Sequence, residues 1–152
     1  MSAIGVRGPR IRAMSRRQME FVLARNHLAR IAFINDTRIG LQPVYYVFAD
    51  GMIYGRTSFG TKHGAWLEHP EVVLEVDESE GLLDWRSVVV RGKVSLLRAR
   101  GPSAESHAYQ TAVAAIQTLL PDAFTDQDPT PQRIAVFCIE PGQYTGREAI
   151  SR

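Results

Sequence analysis

Polar and apolar positions along this chain change their period several times, and each change marks an element. Ser15, with Gln18 three residues later, makes a capping box, and Met19, Phe21, Val22 and Leu23 supply apolar bulk behind it. A first helix is expected from about Ser15 to Asn26. Leu28 to Ile34 alternates around Arg30 and is rich in β-formers, which predicts a strand. Asn35-Asp36 is a turn signal. Gly40 to Phe48 reads as a second strand, with Pro43 indicating an edge or a bulge. Asp50-Gly51 marks a tight hairpin, and Met52 to Arg56 is the third strand.

His63 to Glu68 is expected to be a short helix that ends before Pro70. Val72 to Asp77 reads as a fourth strand, Asp77 to Gly81 as an acidic loop, and Trp85 to Leu97 as a long fifth strand. Pro102-Ser103 opens a helix to Leu120, with Tyr109, Val113, Ile116 and Leu120 on one stripe. Asp126 to Pro131 is expected to be a loop, and Arg133 to Glu140 a final strand. Strands in hairpin order with few helices between them argue against a parallel doubly wound sheet. The expectation is a mainly β fold, an antiparallel barrel of six strands with peripheral helices. The alternative is an open antiparallel sheet with helices on one face.

Composition adds bounds rather than identity. The 152 residues fit one domain with a real core, and 45% hydrophobic with 22% charged residues is ordinary for a globular chain. The net charge is only +2, but Arg7, Arg10, Arg12, Arg16 and Arg17 all precede the first acid, Glu20. Residues 1–14 are therefore expected to be a flexible basic arm and residues 15–152 a single domain. Such an arm could touch nucleic acid, in strongly salt-dependent fashion. A solvated end is the preferred reading, and nucleic acid is not an expected partner. The single Cys138 excludes an internal disulfide and any zinc site built from paired cysteines, and it reads as a core residue. No apolar run is long enough to span a membrane and no signal-peptide pattern follows the basic start. A reducing, cytoplasmic location is expected.

The densest chemistry lies in Tyr54-Gly55-Arg56-Thr57-Ser58-Phe59-Gly60-Thr61-Lys62, directly after the expected hairpin. Guanidinium, ammonium and hydroxyl groups are what a phosphate needs, and glycine lets backbone N–H groups approach. Lys62 is one of only two lysines in the chain. The helix that follows could add its N-terminal N–H groups to the same anion site. A nucleotide P-loop does not fit. Gly55 and Gly60 have the right separation, but Thr61 stands at the lysine position and His63 where a magnesium-binding hydroxyl belongs. The four histidines, His27, His63, His69 and His107, lack the spacing of a helical zinc site. No nucleophile elbow exists, and Asp77, Glu78, Glu80 and Asp84 read as a solvated loop rather than a paired acid–base site.

These segments in this order resemble the pyridoxamine 5′-phosphate oxidase-like family of FMN-binding split barrels, with the nitroimidazole-reductase-like branch nearest. The likeness covers roughly Ser15 to Arg147. It rests on Ala29-Arg30-Ile31-Ala32-Phe33, Pro43-Val44-Tyr45-Tyr46-Val47, Ile53 to Ser58, Gly60-Thr61-Lys62, His69-Pro70-Glu71-Val72 and Trp85 to Gly92. The resemblance implies a homodimer with FMN at two sites across the subunit interface. It also implies a small organic substrate and a nicotinamide electron donor. Carried over by position, Lys62 and Thr61 would hold the phosphate, with Arg56, Thr57 and Ser58 near the phosphate or ribityl chain. Pro43, Val44 and Tyr45 would lie along the flavin ring, mostly through backbone. Trp85, Arg86 and Ser87 would approach from the other subunit.

Two departures narrow the activity. True pyridoxamine phosphate oxidases grip their substrate with a C-terminal Trp and Arg segment, and this chain has no Trp after Trp85. The nitroimidazole-reductase-like branch often carries a His just before the motif lysine, where Thr61 stands here. An FMN-dependent oxidoreductase is the leading expectation. A non-enzymatic flavin or haem carrier and a deazaflavin-dependent reductase remain open beside it.

Overall fold

The computed structural model describes residues 10–99 and 103–150. The first strand, β1 (Arg10–Ala13), precedes α1 (Arg16–Arg25), which Ser15 caps with the full capping box. Next come β2 (Leu28–Asn35), β3 (Arg38–Ala49) and β4 (Met52–Thr57). The β3–β4 turn has Asp50 at φ 51° and Gly51 at φ 76°, the signature of a twist-matched two-residue hairpin. Then follow α2 (Thr61–Glu68), β5 (Glu71–Gly81), β6 (Asp84–Leu97), α3 (Ser103–Leu119) and β7 (Ala135–Ile150).

All pairings are antiparallel, in the order β1-β7-β4-β3-β2-β5-β6, and β6 also pairs with β7. Strands β2 to β7 thus close a six-stranded barrel, as expected, and β1 is a seventh strand beside the C-terminal half of β7. The length of β7 explains this arrangement: one edge carries β6 from Val136 to Ala149, and the other is shared, residues 135–139 pairing with β4 and 147–150 with β1.

Four expectations are corrected. Arg10–Ala13 is sheet rather than flexible arm: it pairs with β7, and Arg12 binds the buried Glu148 at 2.7 Å. Only four residues long and exposed throughout, it gave too short a strand signal; main-chain bonds and one ion pair hold it. The acidic loop is the end of β5. Asp77 and Glu78 pair there with Ser87 and Arg86, and the cations Arg30 and Arg25 bind the two acids. The final strand runs ten residues past Glu140, because Gly142 is absorbed as a bulge opposite Arg91 and Gly92 instead of ending the strand. Finally, α2 begins at Thr61, two residues before His63.

Inside the barrel Ile31, Phe33, Tyr46, Ile53, Leu74, Val88, Phe137 and Ile139 are buried together. Helix α1 closes this core with Met19, Val22 and Leu23, and α2 with Trp66. The Trp66 ring meets Phe137 edge-on at 5.0 Å and Phe33 at 6.5 Å. A second cluster joins α3 to the outer side of β4 and β7 through Tyr54, Ala112, Ile116, Val136 and Cys138. Burial pushes the Cys138 thiol up to about 11, so it stays protonated and packs as a small apolar group. Among the described residues no helix is long and apolar enough to cross a membrane.

Candidate functional site

The end of β4 and the start of α2 form the corner where the sequence motif lies. Gly55 is required there by close approach. A Cβ at this position would collide with the Phe137 ring and come within 2.9 Å of the Tyr45 carbonyl oxygen. Gly60 is the N-cap of α2 and provides no side-chain cap. The first N–H groups of the helix therefore point outward without a side-chain acceptor, and the helix dipole leaves partial positive charge there.

Lys62 sits half-buried in that first turn and makes no ion pair with a described acid. Burial pushes its ammonium below the ordinary value, and the neighbouring charge of Arg133 pushes it further. Arg133 was not expected as a site residue. It lies in the loop between α3 and β7 and carries no local motif. Its only sequence signal is its place two residues before Ala135, the partner of Thr57 at the end of β4.

The other motif residues divide by strand alternation. Arg56 faces outward, but its charge is already neutralised. Its guanidinium donates to Asp128 at 2.6 and 2.9 Å and to Thr130 Oγ1 at 2.8 Å. The Arg56 hydrogen bonds hold the Asp128 carboxyl well below the usual carboxylate range, helped by the backbone N–H groups of Phe124 and Thr130. Arg56 thus ties the 122–133 loop to the barrel and offers no free cation. Thr57 is buried on the opposite, inward side of β4, whereas Ser58 is exposed beside the helix start. The Thr61 backbone opens α2, and its side chain lies outside the described residues.

Beside this corner is a cleft of about 290 Å³ whose walls include Tyr45, Arg56, Ile116, Leu119, Leu120 and Arg133. Its lining is mostly apolar, and of its two arginines Arg56 is already paired with Asp128, which leaves Arg133 as the cation for a flat, partly apolar ligand with an anionic end. Tyr45 and Pro43 are exposed on the outer face of β3. Val44 turns into the core and can offer only its backbone. Tyr46 is also core, and its hydroxyl donates to the Leu23 carbonyl at 2.7 Å.

Trp85, Arg86 and Ser87 are not brought to this corner. Trp85 pairs with Ala149 and Thr57 pairs with Ala135, 14 residues apart along β7. At about 3.3 Å per residue that is roughly 45 Å of strand. Arg86 is directed to Glu148, at 3.3 Å. Within one subunit the two groups thus lie against opposite ends of β7.

The outer face of β2 and β3 carries Leu28, Ile34, Ile39, Leu41 and Tyr45, all exposed. Next to it on β5, Glu75 Oε1 is buried without a hydrogen-bond partner. Burial and the adjacent Asp77 carboxyl push Glu75 up to about 7, against the opposing pull of Arg30. A carboxyl raised above its unfolded value of 4.5 binds its proton more tightly in the folded state. Its contribution to stability is full below about pH 4.5 and is lost as pH rises through about 7. Glu75→Gln is therefore expected to gain stability relative to the parent between about pH 5 and about pH 8. Urea denaturation at both values checks this, and a constant difference between the two proteins would contradict it.

Comparison with known proteins gives consistent results. Residues 15–148 match the family described as pyridoxamine 5′-phosphate oxidase. An uncharacterized protein of Rhizobium meliloti is 30% identical over 147 residues, covering 91% of this chain and 95% of that one. A crystal structure of an FAD-binding protein from Mesorhizobium loti superposes with TM-score 0.74 at 25% identity, over 93% of this chain and 99% of the other. A Bacteroides thetaiotaomicron protein named for 5-nitroimidazole antibiotic resistance reaches TM-score 0.74 at 15% identity, over 93% of this chain and 89% of its own. At that identity the second likeness concerns the fold.

Proposed function

Since this chain belongs to the pyridoxamine 5′-phosphate oxidase family, we propose that it binds FMN and acts as an oxidoreductase on a small organic substrate. The carrying observation is Lys62: a half-buried cation without a described counter-ion, at an uncapped helix start beside an apolar cleft. The donor set fits a flavin phosphate. Lys62, the α2 N–H groups and Ser58 hold the phosphate, and Tyr45, Pro43 and the Val44 backbone border the ring. Bound FMN supplies electron or hydride transfer between a reductant, here a nicotinamide donor, and an acceptor. The chain itself binds the ring, orients it and excludes water from one side. The missing C-terminal Trp leaves vitamin B6 oxidation outside this proposal.

The proposed working unit is a homodimer. Dimerisation covers the exposed apolar residues of β2 and β3 and brings each subunit's Trp85, Arg86 and Ser87 to the flavin held by the other. The separation of those residues from Lys62 within one subunit supports this reading. A cytoplasmic setting is part of the proposal. A second reading, FAD in place of FMN, draws on the Mesorhizobium loti protein, which is FAD-binding at 25% identity.

The test is an absorbance spectrum of the purified protein, with mass spectrometry of whatever denaturation releases. A two-band yellow spectrum with released FMN is expected. Released FAD selects the second reading. A colourless protein that stays colourless after either flavin is added overturns both. Turnover of NADH or NADPH with added acceptors separates an oxidoreductase from a carrier.

A further inference from the structure

The 122–133 loop is held unusually firmly for a connection between a helix and a strand. Asp128 accepts from Arg56, from the Phe124 N–H at 2.8 Å and from the Thr130 N–H at 2.9 Å. The Arg133 N–H then donates to the Thr130 carbonyl at 3.0 Å. This chain of bonds ends at the Arg133 backbone, and Arg133 lines the cleft. The β4–β7 register puts Arg133 at the same end of the barrel as the start of α2, because Thr57 pairs with Ala135 and α2 opens at Thr61.

The charges at this corner are distributed unevenly. Arg56 has been given a carboxylate with near-ideal bidentate geometry. Arg133 precedes Ala135 by two residues and Lys62 follows Thr57 by five, so the Thr57–Ala135 pairing brings both to one corner of the barrel, and neither makes an ion pair with a described acid. Two neighbouring cations without an anion cost free energy in the empty protein. The same two cations match a terminal phosphate, which carries between one and two negative charges near neutral pH, roughly −1.5 to −2.

We propose that Arg133 is a second cationic ligand of the flavin phosphate, held over the cradle by the clamped loop, and that Lys62 with Arg133 selects FMN over riboflavin. This rests on the flavin reading above. It goes beyond the family resemblance, which supplied no residue from this loop. Arg133 touches the phosphate and takes no part in electron transfer; its role is recognition.

The experiment compares dissociation constants for FMN and riboflavin, read from flavin fluorescence, in the parent, Arg133→Ala and Arg133→Lys. Riboflavin has the same ring and no phosphate. Arg133→Ala is expected to weaken FMN binding roughly ten-fold, to leave riboflavin unchanged, and to be largely rescued by Arg133→Lys. Equal FMN affinity in the parent and Arg133→Ala overturns the proposal. So does an equal loss for both flavins, which would show a structural role.

A second measurement does not depend on flavin. With two lysines in the chain, the Lys62 ammonium can be titrated by NMR after lysine labelling. Inorganic phosphate is expected to raise its pKa in the parent. Arg133→Ala is expected to raise it without phosphate and to reduce the response to phosphate. A titration indifferent to both overturns the proposal. If the parent binds neither flavin but shows these shifts, the flavin reading fails and the two-cation phosphate site stands.

Discussion

Lys62→Ala is expected to weaken FMN binding roughly ten- to hundred-fold, since a charge-assisted contact contributes about 1.5–3 kcal/mol. The folded protein without flavin should lose nothing. Lys62 is partly desolvated and repelled by Arg133, so its charge opposes folding and favours ligand. Residues kept for binding commonly reduce the stability of the empty scaffold. Fluorescence titration gives the affinity and urea denaturation the stability. Unchanged affinity would remove Lys62 from the cradle. Loss of both in parallel would make it part of the scaffold.

Trp66→Ala should produce the largest loss of folding stability among these variants, about 3–5 kcal/mol for deleting a buried Trp side chain. The ring is 2% exposed and meets both Phe33 and Phe137 edge-on, so its removal opens a cavity between α2 and the barrel. Trp66→Phe should cost much less. The indole N–H is buried with no described acceptor, and phenylalanine removes that unsatisfied donor while retaining an aromatic ring. Because Trp66 anchors α2, Trp66→Ala should also loosen the phosphate cradle, whereas Trp66→Phe should keep FMN affinity close to that of the parent. Denaturation followed by circular dichroism, with flavin titration of the variant that folds, checks both parts. A Phe variant as unstable as the Ala variant would show that the indole's size, rather than its aromatic packing, is what the site requires.

Where a feature depends on a few neighbouring residues, it was readable in advance. Ser15 and Gln18 cap α1 as their spacing predicts, and Asp50-Gly51 makes the tight turn that delivers β4. The hairpin order of the strands led to the antiparallel barrel. Lys62 stood out because it is one of two lysines beside a glycine and three small hydroxyls. The errors were at element ends. Arg10–Ala13 is too short for its alternation to register within a basic stretch, Asp77–Gly81 reads as loop by composition, and Pro141-Gly142 reads as a stop. Each became strand because a neighbouring strand supplied hydrogen bonds that local propensity could not foresee.

The same division applies to the site. The sequence by itself located the corner proposed to hold the phosphate, because a strand end, a glycine and a helix start are contiguous and carry their own donors. Only the tertiary structure decided which cations are free there. Arg56 is neutralised by Asp128, 72 residues away, and Arg133 is brought to the corner of Lys62 by the β4–β7 pairing. It also decided that Val44 and Thr57 face the core, and that Trp85 and the end of β4 that leads to Lys62 pair with opposite ends of β7. Charge pairing and barrel closure join residues distant in the chain, and their energies depend on distances that no local pattern encodes.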